Sequence, residues 1–159
     1  MLSRDPHAAE VRIPPPLVYA LSIGTGWLLD NFVVALPVPF MAPVWLSVFA
    51  AILASIGIVM LTYATGLFLG TGQNPEPWKT TPSLVVTGVY GWTRNPMYVG
   101  MALLQLAIGL YLDNAWVVAL TIPSLLAVLV IAVIPEELYL THKFATEYVR
   151  YKERVRRWL

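Results

Sequence analysis

Two polar clusters in this chain sit where polarity is costly. One lies within TGVYGWTRNPMYVG, residues 87–100, where Arg94, Asn95 and Pro96 are boxed by Tyr90, Trp92 and Tyr98 at the mouth of an apolar run. The other is Glu136-Glu137, which follows directly on an Ile- and Val-rich stretch. Carboxylates at such a place are expensive to desolvate and tend to mark function. If the clusters converge, they offer a cation, amide hydrogen-bonding groups, aromatic faces and carboxylates around one pocket. That set suits a zwitterionic, nucleoside-like ligand.

Each cluster also has an architectural reading. Proline at a first helical turn is a standard start signal, Asn95 can cap, and Arg94 with Trp92 can anchor a membrane interface. Proline followed by acidic residues likewise suits a helix N-terminus. That benefit disappears if Pro135 lies inside one continuous, kinked helix. Successive helical residues point about 100° apart, so only one of the two carboxylates need face inward.

The elements that must hold these residues are apolar. Of 159 residues 58% are hydrophobic and 12% charged, whereas a water-soluble domain carries about twice that charge. Four stretches are long and greasy enough to be expected as membrane spans: Leu17 to Leu36, Val44 to Leu69, Met97 to Leu112 and Ala115 to Ile134. Crossing the hydrocarbon takes about 20 residues, so the second has slack for tilt and the third is short. Asp113-Asn114 joins the last two as a hairpin. Asp30 and Asn31 make the first span the least regular. A cleaved signal peptide is disfavoured there, because Leu36-Pro37-Val38-Pro39 is no small-residue cleavage site.

All ten cations (Arg4, Arg12, Lys79, Arg94, Lys143, Arg150, Lys152, Arg154, Arg156, Arg157) fall in the N-terminal tail, the loop over 70–96 or the C-terminal segment. The connections 37–43 and 113–114 carry none. The positive-inside rule then places both termini, the loop and any site built on it on the cytoplasmic side of the cytoplasmic membrane. With no cysteine and two isolated histidines, His7 and His142, no metal site is expected. The cations are too few for a nucleic-acid groove, so no nucleic acid is expected as a partner.

Residues 135–159 read as a cytoplasmic amphipathic helix. Phe144, Tyr148, Tyr151, Val155 and Trp158 form an apolar stripe, and Lys143, Arg150, Arg154 and Arg157 a basic one. Glu147 is expected to pair with Arg150 or Tyr151, and Glu153 with Arg157. Such a helix can rest on anionic headgroups. The fold class is therefore all-α: a single membrane domain over 1–159, a bundle of about four transmembrane helices with a C-terminal amphipathic helix. Ala50, Ala54 and Gly57 offer a small-residue packing face. Pro123 should kink the fourth span, Pro14-Pro15-Pro16 stiffen the lead into the first, and Met1 to Glu10 form a mobile tail.

At these positions the chain resembles a known family. LVVTGVYGWTRNPMYVG, followed about forty residues later by EELYLTHKFATEYVRYKERVRRW, is similar to the isoprenylcysteine carboxyl methyltransferase and phospholipid methyltransferase superfamily. Its signature is G-x-Y, R-H/N-P-x-Y-x-G, E-E and F-G-x-x-Y-x-x-Y. The resemblance runs from about Gly70 to the C-terminus and does not reach the first two spans. It implies an integral membrane methyltransferase that uses S-adenosylmethionine on a lipophilic small-molecule or lipid acceptor. A soluble dinucleotide fold is not implied, and the chain has no G-x-G-x-x-G. By resemblance, cofactor contacts fall on Ser83, Leu84, Val85, Tyr90, Asn95, Pro96, Met97, Tyr98 and Glu136, with Glu136 holding the ammonium end. Arg94 and Glu137 are implied as catalytic residues that orient neighbouring groups.

Three departures stand out. Asn95 replaces the His of one motif variant, and Ala145 replaces the Gly of F-G-x-x-Y. Ala132 stands four residues before the first Glu, where carboxyl methyltransferases of the isoprenylcysteine type carry an Arg for the substrate carboxylate. A prenylcysteine carboxylate is therefore not the expected acceptor. Two other readings compete: an NADPH-dependent sterol reductase-like enzyme, and a non-catalytic membrane adaptor of the same fold. The reductases carry a Glu after Tyr-x-Gly, where this chain has Met101. Binding of S-adenosylhomocysteine but not NADPH would separate the readings.

Overall fold

A computed structural model describes residues 9, 11, 13–39, 42–72, 79 and 81–159. Regular structure among them is helical: α1 (Pro15–Phe32), α2 (Pro43–Gly70), α3 (Pro96–Tyr111), α4 (Ala115–Ala119), α5 (Thr121–Val128) and α6 (Ile134–Arg154). A 3₁₀ turn, Gly88–Gly91, precedes α3, and a π turn, Leu129–Val133, joins α5 to α6. Two helical runs are long and apolar enough to cross a membrane, Pro43–Gly70 and the composite run Ala115–Arg154; Pro96–Tyr111 is apolar but shorter.

Each boundary has a local cause. α1, α2 and α3 all start with a proline in the first turn, where its missing N–H costs nothing. The helix expected as far as Leu36 stops at Phe32. There the Asp30 carboxylate accepts the Leu36 N–H at 2.8 Å and turns the chain outward. α4 opens on an Asn114 cap, whose side chain accepts from Val117 N at 3.0 Å. The break between α4 and α5 falls at Leu120, just ahead of Pro123, whose ring collides with the carbonyl four residues back. Pro135 is absorbed differently. The π turn just before it widens the helix, so the chain continues from Leu129 into α6 without a free end.

Packing follows the small residues. α2 lies along α3, and Gly57 and Gly100 meet face to face. A Cβ at residue 57 would sit 2.9 Å from the Gly100 carbonyl oxygen, and one at residue 100 would sit 3.0 Å from the Gly57 oxygen. α1 packs on α3, α4 and α5 and is pinned there by polar groups. Fully buried Gln105 donates to Ser22 Oγ at 3.1 Å and to the Val117 carbonyl at 3.2 Å. The Tyr19 hydroxyl donates to the Tyr98 carbonyl at 3.1 Å. In an apolar surround such bonds have no competing water, which makes them effective pins.

Two expectations about the ends need correction. Ala9, within the tail expected to be mobile, is buried with Val11 against Tyr19, Tyr98, Val128, Ala132 and Val133; the rest of Met1 to Glu10, with His7, Arg4 and also Arg12, lies outside the described residues. Nor is 135–159 one uninterrupted helix. α6 kinks at Ala145 and ends at Arg154, after which Val155 is extended and Thr93 and Arg156 form a parallel bridge. The stripe of Tyr148, Tyr151 and Val155 packs on Leu84, Val86, Leu140 and Phe144 of the protein itself. Because the helix ends early, Arg157 pairs with Glu137 instead of Glu153.

Candidate functional site

The start of α3 and the start of α6 close around one open cleft. On one wall lie Arg94, Asn95, Pro96, Met97 and Tyr98; on the other lie Glu136, Tyr139 and Leu140. Leu84, Val85 and Tyr90 come from the loop between α2 and α3, and Tyr151 from the far half of α6. The two clusters met in the sequence thus face one space.

Glu136 and Glu137 diverge as adjacent helical residues must. Glu136 points into the cleft and accepts a hydrogen bond from the Tyr98 hydroxyl. Burial pushes its carboxyl up to about 7; the Tyr98 bond pulls the other way, and the Glu137 charge adds to the rise. Glu137 faces away, toward two guanidinium groups. Arg157 grips it with both prongs, Nε to Oε1 at 3.0 Å and Nη2 to Oε2 at 2.8 Å, and Arg94 Nη1 lies 3.3 Å from Oε1. Both carboxylates sit within a continuous helix, so no free helix N-terminus stabilises them. Glu137 has its cations in place. Among the described residues Glu136 has only a phenol.

Tyrosines shape the rest. Tyr90 packs against Phe68 with the ring centres 5.5 Å apart and the planes tilted by 56°, and its carbonyl accepts the Tyr151 hydroxyl at 2.6 Å. Burial raises the Tyr90 hydroxyl, with Glu136 and then Tyr151 adding to the effect. Tyr151 is raised by burial and by Tyr148, with Arg94 opposing. These phenols therefore stay neutral at physiological pH and present rings and O–H dipoles, not charge. Tyr139 closes the mouth, its hydroxyl accepting from Thr81 N at 3.2 Å and from Lys143 Nζ at 3.0 Å.

Of the residues singled out from sequence, Leu84, Val85, Tyr90, Arg94, Asn95, Pro96, Met97, Tyr98 and Glu136 line the cleft. Ser83 is exposed and is not part of the lining. Glu137 sits behind the wall, on its two arginines. Asn95 does not cap α3: its side chain makes no cap bond, and Nδ2 donates to the Arg157 carbonyl at 2.9 Å. Ala9, Phe68, Thr81, Tyr139, Leu140 and Tyr151 complete the lining unannounced. Tyr151 carried a signal as part of an apolar stripe, but the stripe's target lay far off in sequence.

The cleft's groups match those of a zwitterionic sulfonium nucleoside. One carboxyl, Glu136, is buried without a cation among the described residues, and an ammonium group would supply one. Ring faces of Tyr90 and Phe68 suit a sulfonium or a purine, and Leu84, Val85 and Leu140 exclude water. The residues fit.

Residues 40–147 match the family model described as phospholipid methyltransferase. The chain is also similar to an uncharacterized protein of Haemophilus influenzae, 41% identical over 63 residues that cover 40% of this chain and 100% of that relative. No solved structure matches it.

Proposed function

The chain belongs to the phospholipid methyltransferase family, and on that premise we propose that it transfers a methyl group from S-adenosylmethionine to a lipophilic acceptor at the cytoplasmic face of a membrane. The observation that carries the reading is the Tyr98–Glu136 pair, which joins the two motif halves inside one cleft. In this reading α1, α2, α3 and the α4–α5 run cross the bilayer. Lys79, Arg94 and the cations of the C-terminal segment face the cytosol, as the positive-inside rule favours. The membrane-spanning part of the last run ends at Ile134, so Glu136 lies at the surface.

S-adenosylmethionine supplies, when bound, a methyl group on a positively charged sulfur. The chain's own residues bind and orient. Ionised Glu136 would hold the ammonium end, with Tyr98 fixing its rotamer. Leu84, Val85, Asn95, Pro96, Met97 and Tyr90 line the remainder, and Ser83 at the loop's surface serves as an outer contact. Methyl transfer disperses charge, so excluding water and aligning the partners helps more than a strong acid or base. Arg94 and Glu137 orient the wall on which Glu136 stands.

The acceptor is a lipid or lipophilic molecule other than a prenylcysteine carboxylate. Ala132 is fully buried in an apolar cluster with Ala9, Val11, Tyr19 and Tyr98, and its methyl group cannot hold a carboxylate. The decisive experiment is a thermal melt of the detergent-purified chain. S-adenosylhomocysteine should raise Tm while NADPH leaves it unchanged, and Glu136→Gln should abolish the rise. A rise with NADPH alone would sink the reading.

A further inference from the structure

The last residues of the chain are wound into the cleft's foundations. After α6 ends at Arg154, residues 155–157 run alongside 93–95. The Arg156 carbonyl accepts the Arg94 N–H at 2.9 Å, and the Arg157 carbonyl accepts Thr93 Oγ1 at 3.0 Å and Asn95 Nδ2 at 2.9 Å. Arg157's guanidinium reaches the other way and grips Glu137 with two bonds. Main chain and side chain of one residue thus tie the Arg-Asn-Pro turn to the head of α6.

We propose that Arg157 is a positioning residue of the cofactor site: it sets the separation of the Asn95–Tyr98 wall from Glu136 and neutralises Glu137 so that Glu136 can carry its charge toward the ligand. The proposal rests on the cofactor reading above. A two-pronged grip fixes distance and plane together, which a Lys at the same place cannot do. Glu137 is nearly buried while Arg157 is partly exposed, so the pair's value lies in orientation more than in stability.

The charge role makes a sign prediction. The groups facing Glu136 are Tyr98 from α3, Tyr90 from the 3₁₀ turn, Tyr148 from the far half of α6, and Glu137 with its partners Arg94 and Arg157. Removing the Arg157 charge leaves Glu137 less compensated and makes Glu136 harder to ionise. Removing the Glu137 charge makes it easier.

The test is S-adenosylhomocysteine affinity measured by calorimetry between pH 5.5 and 9 on wild type, Arg157→Ala, Arg157→Lys and Glu137→Gln, each in the same detergent. Wild type should bind with an acid-side midpoint. Arg157→Ala should move that midpoint up and weaken binding about tenfold at pH 7, the size expected for one lost charge-assisted contact. Arg157→Lys should recover the midpoint but not the full affinity, because charge returns without the fork. Glu137→Gln should move the midpoint down. A role confined to folding would lower affinity at every pH and shift no midpoint, and unshifted midpoints in both Arg157→Ala and Glu137→Gln would overturn the proposal. Wild type that fails to bind would overturn the cofactor reading itself; wild type that binds alongside variants with unchanged curves would overturn only the role of Arg157.

Discussion

Tyr98, in the first turn of α3, and Glu136, in the first turn of α6, are hydrogen-bonded across the cleft. One residue stands inside R-N-P-x-Y and the other opens E-E, so the bond joins the two motifs directly. It is also the only polar partner recorded for the Glu136 side chain among the described residues. Replacing Tyr98 with Phe should therefore leave a buried carboxyl alone, at a cost of about 1–3 kcal/mol in stability. S-adenosylhomocysteine binding should weaken with it, most at neutral pH. Equal Tm and equal affinity in the Phe variant would show that the bond has no role.

The pH dependence of folding and of binding should run in opposite directions. Glu136's folded carboxyl is raised to about 7 from a reference of 4.5. Between these values the folded chain binds the extra proton, so the group's contribution to stability is fully present below pH 4.5 and is lost as pH rises through 7, amounting to about 3 kcal/mol at most. Binding of an ammonium needs the ionised form, which at pH 6 is about a tenth of the population. Affinity for S-adenosylhomocysteine should therefore rise from pH 6 to 8 while the ligand-free Tm contribution of this group falls. Glu136→Gln should flatten both. Melts and calorimetry over that range read the two signs separately.

Gly57 and Gly100 should be intolerant of any side chain. Each would bring a Cβ to 2.9–3.0 Å of the other's carbonyl oxygen, a backbone atom that cannot step aside. Gly57→Ala should force α2 and α3 apart and cost about 1–3 kcal/mol, as overpacking does. Gly66, with open space around its Cβ position, is the matched control. A Gly57→Ala chain that melts with the Gly66→Ala control would disprove close helix contact.

Ala145 holds a left-handed backbone, φ 41° and ψ −115°, at the kink of α6. That region costs a residue with a Cβ about 1–3 kcal/mol and costs glycine little. Ala145→Gly should raise Tm, with a gain of about 1 kcal/mol once glycine's greater unfolded-state freedom is subtracted. Ala145→Val should lower it. A glycine variant less stable than the parent would mean the kink is absent.

Membrane extracts incubated with methyl-labelled S-adenosylmethionine should yield label in the lipid fraction. Prenylcysteine offered as competitor should not take it up, because the position that would need a cation is Ala132, fully buried among apolar neighbours. Robust carboxyl methylation would refute this.

Much of this was written locally. The prolines that open α1, α2 and α3, the Asp113-Asn114 turn and the apolar runs between them are short-range signals, and the helices stand close to where those signals put them. The R-N-P-x-Y and E-E motifs likewise pointed to one site, and the residues they named line one cleft apart from Ser83 and Glu137. What local pattern mispositioned was the C-terminal segment. A stripe at helical spacing says that a face is apolar but not what covers it, and Arg157 at helical spacing from Glu153 implies a pair only while the helix lasts.

By itself, then, the sequence determined which segments are greasy, where helices begin, and which polar residues are too costly to be accidental, because each depends on neighbours within a few positions. Only the tertiary structure decided that Glu136 meets Tyr98, that Glu137 is shared by Arg94 and Arg157, that Asn95 holds the chain's end instead of capping, and that Ala9 is buried. Those outcomes depend on how a π turn and a kink at Ala145 aim side chains across tens of residues. Direction accumulated over that distance is a property of the packed backbone, and no local pattern records it.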